Sequence, residues 1–443
     1  MTLASTAVPS VQADQRADTH FNRLLILFIV AFLLRIGYAV ITPAEQATVD
    51  DTGWYIANGE RMISRTITPA EVVPFPPMYS FFTGGLTLWL GHDTGITWIR
   101  VLQAVIGAAT SLAVWRIAWR LTGSQTAATL AALGIALNPV FIIENGTLMS
   151  ETLFMFFFYW ALSIYVKPAT GDWRRMAASG ALLGLASLTR AVLVAFPLGL
   201  ALHVFFVLPK RRAVQSAVVI LVSYALVLST WTLYNKVKFD RIVIGGYGIS
   251  DMLLAATVGY SGSSSIDPTY AAQTGGTVPN GTDRDDVALK IAADTIAKNP
   301  LGYATRQLKQ LAEALLQPHN SVHFPGQSLK DAVLTWARED RSVAGLGTLM
   351  SDPTFFPKLL LYVFHWGGLL LGLVGMWLTR REWRQVSVLW GVVAYFLLVH
   401  FFLLALPRYL FPIMPAMWVF AGVTLATTVR RWQRRSGLAT ATA

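Results

Sequence analysis

The chain has 443 residues, 54% hydrophobic and 13% charged, with a net charge of +11 and no cysteine. Soluble chains carry about 25% charged residues, so this composition and a mean hydropathy of +0.51 exclude an ordinary soluble protein and point to the bilayer as solvent. The absence of cysteine excludes disulfide scaffolds, thiol nucleophiles and thiolate metal sites, and the basic balance would signal nucleic acid only if it gathered on one exposed domain.

In chain order, residues 1–21 are polar and read as a tail. Apolar stretches of roughly the 20 residues that cross a bilayer follow at 22–42, 96–119, 125–143, 150–166, 176–189, 191–208, 213–235, 357–378, 386–405 and 408–429. The fold expected is an all-α polytopic membrane protein with about ten transmembrane helices, juxtamembrane amphipathic helices and two long loops on one side. The pair 176–189 and 191–208 is short and reads as a hairpin of tilted helices. The stretch 76–91 is too short to span comfortably and reads as a juxtamembrane or re-entrant helix. The first span carries Arg35 and no small-residue cleavage site, which predicts a retained anchor.

One long connection, 43–95, is rich in Pro, Gly, Trp and acids. The other, 236–356, begins with a Gly/Ser/Thr-rich part (261–282) that reads as loose. Then Val287, Ile291, Ile296, Tyr303, Leu308, Leu311 and Leu315 recur at helical spacing, and Asn299-Pro300 divides them into two helices. Such helices suit a membrane surface. The organisation expected is therefore a tail (1–21), an N-terminal transmembrane module that carries the chemistry (22–235), a loop with amphipathic helices (236–356), C-terminal transmembrane helices (357–429) and a basic tail (430–443).

The charges divide by connection. One alternate set of connections, from Arg16 and Arg23 through Arg116, Arg120, Arg174, Arg175 and Lys210–Arg212 to Arg380–Arg384 and Arg430–Arg435, nets +13; everything else nets −2. The positive-inside rule assigns that set, and with it both termini, to the cytoplasm. The basic clusters are thus topology signals, and no nucleic-acid partner is expected.

Ionisable groups at membrane depth are costly and mark function by default. Asp50 and Asp51 stand just beyond the first span. As neighbouring carboxylates they repel, which favours a proton on one of them and suits a general base; equally, they suit an ordinary acidic helix start. Glu144 and Glu151 flank the next connection on the same side. Ser150-Glu151 also reads as a helix cap. Arg190 and Arg408 are isolated cations on the otherwise acidic side, where they either snorkel or hold an anion, phosphate above all. Asp283-Arg-Asp-Asp reads as a helix start. His319 and His323 show no metal spacing, and there is no P-loop, nucleophile elbow or dinucleotide fingerprint.

Together these segments resemble the type-C membrane glycosyltransferases, in the branch of protein O-mannosyltransferases and the lipid A aminoarabinose transferase. The acidic pair followed by Tyr55 and Met62 resembles the family's Asp-Glu-x-x-Tyr segment. Pro76-Pro77-Met78-Tyr79 is similar to its Pro-Pro-x-Tyr turn, and Ser150-Glu151-Thr152-Leu153-Phe154 to its Ser-Glu-Thr-Leu-Phe helix start. Gly184–Arg190, Trp231–Asn235, Asn299-Pro300 with Tyr303, and Pro407-Arg408-Tyr409 with Pro412 and Pro415 resemble further family segments, from about residue 22 to 430. The chain departs from the pattern in having Asp-Asp, and in having Tyr234 where Arg is usual.

The resemblance implies a sugar donor on a polyprenyl phosphate and a hydroxyl acceptor on a lipid, glycan or protein. Asp51 would be the general base, assisted by Asp50. Arg190, Arg408 and Tyr409 would hold the donor phosphate. Glu151, Tyr55 and Tyr79 would bind the acceptor or orient its neighbours. It implies inversion at the anomeric carbon and requires no metal, with a divalent cation at the acidic cluster left open. It places the protein in a bacterial inner membrane with the site on the exocytoplasmic face. Two other readings stand beside it: a transporter or flippase for an anionic lipid-linked substrate, and a scaffold subunit in which Asp51 is dispensable.

Overall fold

The computed structural model describes residues 9–48, 51–68, 76–166, 172–246, 249–259, 266–276, 281–319, 324 and 326–436, and among them all regular structure is helical. The first helix, α1 (Pro9–Ile41), carries the first span in its half Asn22–Ile41. The short α2 (Ala44–Ala47) leads to α3 (Thr52–Ile63), which packs on α4 (Pro77–Leu90). Proline opens α4, where its missing N–H has no partner to lose. The α3–α4 contact is backbone on backbone: a Cβ on Gly59 would overlap the Ser80 carbonyl, and one on Gly84 would overlap Gly59 and Glu60. Glycine at both positions is what lets these helices touch.

Then come α5 (His92–Thr122), α6 (Gln125–Ala136) and α7 (Pro139–Gly146). The stretch read as one span at 125–143 is α6 and α7, bent by 49° at Leu137-Asn138. The bend frees the last carbonyls of α6, and the buried Arg35 of α1 serves them: its Nη1 donates to Ala136 (3.1 Å) and its Nη2 to Ile135 (3.1 Å). A charge inside the first span is thus used to finish a neighbouring helix, since orphan carbonyls away from water need donors.

The middle of the chain forms α8 (Glu151–Tyr165), α9 (Trp173–Thr189), α10 (Phe196–Val207) and α11 (Lys210–Phe239). The long loop contains α12 (Ile249–Val258), α13 (Asp267–Thr274), α14 (Gly281–Lys298), α15 (Pro300–Leu316), α16 (Leu329–Thr335) and α17 (Val343–Met350). The chain ends with α18 (Phe355–Leu378), α19 (Trp383–Phe402), the single turn α20 (Pro407–Leu410) and α21 (Met414–Arg435).

Every stretch read as a span is helical. Among the described residues, six helices are long and apolar enough to cross a membrane alone, or seven with the bent α6–α7 pair taken as one broken span. The remaining three, α8, α9 and α10, have 15, 17 and 12 residues. For α8 the reason is burial: Phe154, Phe158, Tyr159 and Leu162 are fully enclosed, so its surroundings are other helices and it is spared the length that lipid demands. The Gly/Ser/Thr-rich stretch expected to be loose is ordered in its middle, as α13. The break at Asn299-Pro300 is as read: Asn299 caps α15, its Oδ1 accepting from the Gly302 N–H at 2.8 Å. On α15, Tyr303 and Gln307 face inward and Leu301 and Leu308 outward.

Candidate active site

Four chain segments converge at one end of the bundle: the start of α3, the start of α8, the break between α9 and α10, and the α20 turn. The arginines of the last two meet on Glu151 at the start of α8, and Asp51 at the start of α3 reaches Arg408. The Glu151 carboxyl is 1% exposed and is paired with Arg190 and, at 3.0 Å, with Arg408 Nε. A buried carboxylate alone would cost several kcal/mol; two guanidinium groups offset that cost.

Each partner is placed by a local break in helix. The helix α9 stops at Thr189, Arg190 is extended (φ −146°, ψ 117°), and one 3₁₀ turn (Ala191–Leu193) follows before α10. That break turns the Arg190 side chain back toward Ser150, to which its Nη1 donates at 3.2 Å. The sequence offered Ser150 as a helix cap. The structure gives its hydroxyl no cap bond; it sits between Arg190 and the Glu151 carboxyl, 3.4 Å from Oε2. Arg408 rides on α20, which Pro407 opens. The Tyr409 ring lies 5.6 Å from both guanidinium carbons, within cation–π range, and stacks on His400 at 5.4 Å.

Asp51 occupies the N-cap position of α3, yet its carboxylate makes no cap bond. It stands 3.7 Å from Arg408 Nη2 and is 31% exposed, far more open than Glu151. Asp50 lies outside the described residues. One helical turn past Asp51, Tyr55 is buried edge-on against Tyr79 (4.9 Å, 88°). Burial raises the Tyr55 hydroxyl to about 12, with Arg408 opposing and Glu151 and Asp51 adding to the rise. Tyr79 is fully buried and its hydroxyl is pushed further up by the same cause. It donates to Gln103 Oε1 at 2.7 Å, and Gln103 Nε2 in turn holds the carbonyls of Asn145 and Thr147. Tyr79 is therefore one ring removed from the charged cluster and braces the loop before α8.

Two groups at the site were not assembled by the sequence. Glu144, also buried, has its Oε2 2.7 Å from Nε2 of His319, and the His319 ring packs on Phe411. Histidine spacing was informative only about metals, and no local pattern joins positions 175 residues apart. His323 lies outside the described residues. Among the described residues, no group of three or more His, Asp or Glu side chains is arranged to hold a metal. Tyr234, at the position where Arg is usual, stacks on Trp231 at 5.2 Å and edges Phe239 as ordinary packing.

Residues 75–234 match the family described as dolichyl-phosphate-mannose-protein mannosyltransferase. No curated protein matches the chain. Among solved structures, the apo oligosaccharyltransferase of Archaeoglobus fulgidus is 16% identical, with a TM-score of 0.55 over 95% of this chain and 51% of its own. The archaeal oligosaccharyltransferase AglB from the same organism, in complex with an inhibitory peptide and a dolichol-phosphate, is 14% identical, with a TM-score of 0.55 over 96% of this chain and 52% of its own. ArnT from Cupriavidus metallidurans in the apo state is 15% identical over 94% of this chain and 78% of its own, but at a TM-score of 0.37 it superposes too loosely to argue from. The chain spans about half the length of the archaeal protein, and what the two share at this identity is the fold. The chain is thus a polytopic membrane protein that shares its fold with that archaeal oligosaccharyltransferase, and its residues 75–234 are similar to the dolichyl-phosphate-mannose-protein mannosyltransferases.

Proposed function

We propose that the protein is a membrane glycosyltransferase that moves a sugar from a polyprenyl-phosphate donor to a hydroxyl acceptor, with inversion. One observation carries this reading: a partly exposed carboxylate, Asp51, stands 3.7 Å from Arg408, and a buried glutamate anchors Arg408 together with a second cation, Arg190. The arrangement separates two jobs. The acceptor hydroxyl gives its proton to Asp51 while its oxygen attacks the anomeric carbon. The bond from that carbon to the phosphate oxygen breaks on the opposite side, and the phosphate keeps the electron pair.

The developing charge falls to Arg190 and Arg408. Each guanidinium has five N–H donors in a planar fork whose geometry matches phosphate oxygens. Fixed donors of this kind are the strongest single contribution to such steps. Because the leaving group is a monophosphate, the arginines can neutralise it, and the reading requires no metal. Glu151 is too enclosed and too firmly paired to take a proton from an acceptor; it positions the arginines, and Tyr409 lies against both. Tyr55, neutral at working pH, lines the floor beside Asp51.

The family match and the dolichol-phosphate named for the archaeal neighbour agree with a lipid-phosphate donor. The net −2 outside the basic set supports an exocytoplasmic site, and the resemblance to bacterial family members points to a bacterial inner membrane. Asp51→Asn tests the base. Loss of a general base costs roughly 10²–10⁴-fold, so the purified variant should lose transfer from a polyprenyl-phosphate sugar by that much while inserting and folding normally. Transfer at a near-normal rate would remove Asp51 from the role.

A further inference from the structure

Four arginines meet at the far end of α8 from Glu151, a distance of about 22 Å by the helical rise. Arg116 and Arg120 come from the end of α5, and Arg174 and Arg175 from the start of α9. With Ile164 and Ala178 they line an open cleft of about 420 Å³, within the ~300–1,000 Å³ of small-ligand sites. Two of the four have a structural reason to be there. Arg120 Nη1 donates to the Ser163 carbonyl (2.8 Å), and Arg175 Nη2 to those of Ile164 (2.7 Å) and Val166 (3.3 Å), so they finish the C-terminus of α8.

The other two have no such reason. Arg116 is half-buried and Arg174 exposed; the Arg174 guanidinium lies 5.6 Å from the Trp173 ring centre, and among the described residues neither guanidinium is paired with a carboxylate or a carbonyl. The nearest acid in sequence, Asp172, uses its carboxylate on the Arg174 backbone N–H at 3.0 Å. The start of α9 adds the positive end of a helix dipole to a place already crowded with cations. A topology signal requires basic residues on this face. It does not require four of them, from segments more than fifty residues apart in the chain, to share one cleft with no carboxylate paired to them among the described residues.

Depth decides what the anion is. Trp119 and Trp173, 41% and 62% exposed, are neighbours in sequence of Arg120 and Arg174; indoles gather at the head-group level of a bilayer, and Ile164 and Ala178 give the cleft an apolar side. Basic pockets between helices at this level take lipid phosphates. We propose that Arg116 and Arg174, with Arg120 and Arg175, form a binding site for the phosphate head group of an anionic phospholipid of the cytoplasmic leaflet. This site is separate from the one built on Glu151, and its fate does not bear on the transferase reading.

The test uses the full-length protein, purified, delipidated and titrated with phosphatidylglycerol, phosphatidylcholine or inorganic phosphate. Retained lipid is counted by native mass spectrometry, with thermal stability as a second readout. The double variant Arg116→Gln/Arg174→Gln leaves the arginines that cap α8 in place. It should bind phosphatidylglycerol at least tenfold more weakly than the wild type. Arg431→Gln/Arg434→Gln, on the exposed basic end of α21, should stay within twofold. Equal losses in both variants would mean general surface charge and would overturn the site. So would equal binding of phosphatidylcholine. The same stabilisation by inorganic phosphate at equal concentration would assign the cleft to a free anion. If the double variant fails to insert, Arg174→Gln alone, at an exposed side chain, should weaken binding at least threefold, and unchanged binding overturns the proposal.

Discussion

Arg190 and Arg408 stand out in the sequence because each is a lone cation in apolar surroundings, and both reach the same carboxylate. Their partner was not legible: Arg408 and Glu151 are 257 residues apart, and no spacing rule covers that. If they hold the donor phosphate, Arg190→Ala and Arg408→Ala should raise the donor concentration for half-maximal rate at least tenfold and leave the acceptor dependence nearly unchanged. An unchanged donor titration would withdraw both from the phosphate. Glu151 changes meaning at this scale. As a helix-start acid it would be replaceable, whereas as the shared anchor of two arginines it holds the geometry. The titration of Tyr55 has a definite sign. Its folded hydroxyl is raised from 10 to about 12, so the stability from burying it neutral is complete below about pH 10. That stability is lost as pH rises through about 12, because the unfolded chain releases the proton first. Thermal melts of Tyr55→Phe should therefore fall less steeply over that range than the wild type; parallel curves would show that the hydroxyl is not buried this way.

At the scale of elements, breaks do most of the placing. Arg190 owes its direction to the gap between α9 and α10, Arg408 to the short α20 turn, and Asp51 to the start of α3. The close contact of α3 with α4 then sets Tyr55, one turn beyond Asp51, against Tyr79. Gly59→Ala forces a Cβ into the Ser80 carbonyl. Overpacking of this kind costs about 1–3 kcal/mol, so the variant should melt several degrees lower and lose transfer in proportion to the displaced Asp51. A variant with wild-type stability would mean that the helices can separate without harm. The helices themselves were largely legible, since long apolar runs and Asn-Pro or Pro-Pro punctuation mark them. The bend within 125–143 and the shortness of α8 were not. Hydropathy reports how apolar a segment is, and says nothing of whether lipid or other helices surround it.

For the whole molecule, the expected topology divides the +11 into +13 on one set of connections and −2 on the rest. The four-arginine cleft and the Glu151 cluster lie at opposite ends of α8, consistent with the division by connection. The chain has no cysteine, so single substitutions can report sidedness directly. A membrane-impermeant thiol reagent on intact cells should label Leu301→Cys, whose position is 79% exposed on α15, and should spare Arg434→Cys until the membrane is opened. The reverse pattern would invert the orientation and move the acidic cluster to the cytoplasm.

By itself the sequence determined the class of solvent, the positions of the helices, the charge asymmetry and which ionisable residues were out of place. These follow from local composition, because a bilayer penalises each polar residue where it stands. The tertiary structure alone decided which of those residues meet. It joined Arg190, Arg408 and Asp51 around Glu151, set His319 beside Glu144, turned Tyr79 toward Gln103, and gave Ser150 a pair of charged neighbours in place of a cap. Those outcomes depend on packing between helices distant in the chain, and the cost of burying an unpaired charge is settled only when the partner from the other end of the sequence arrives.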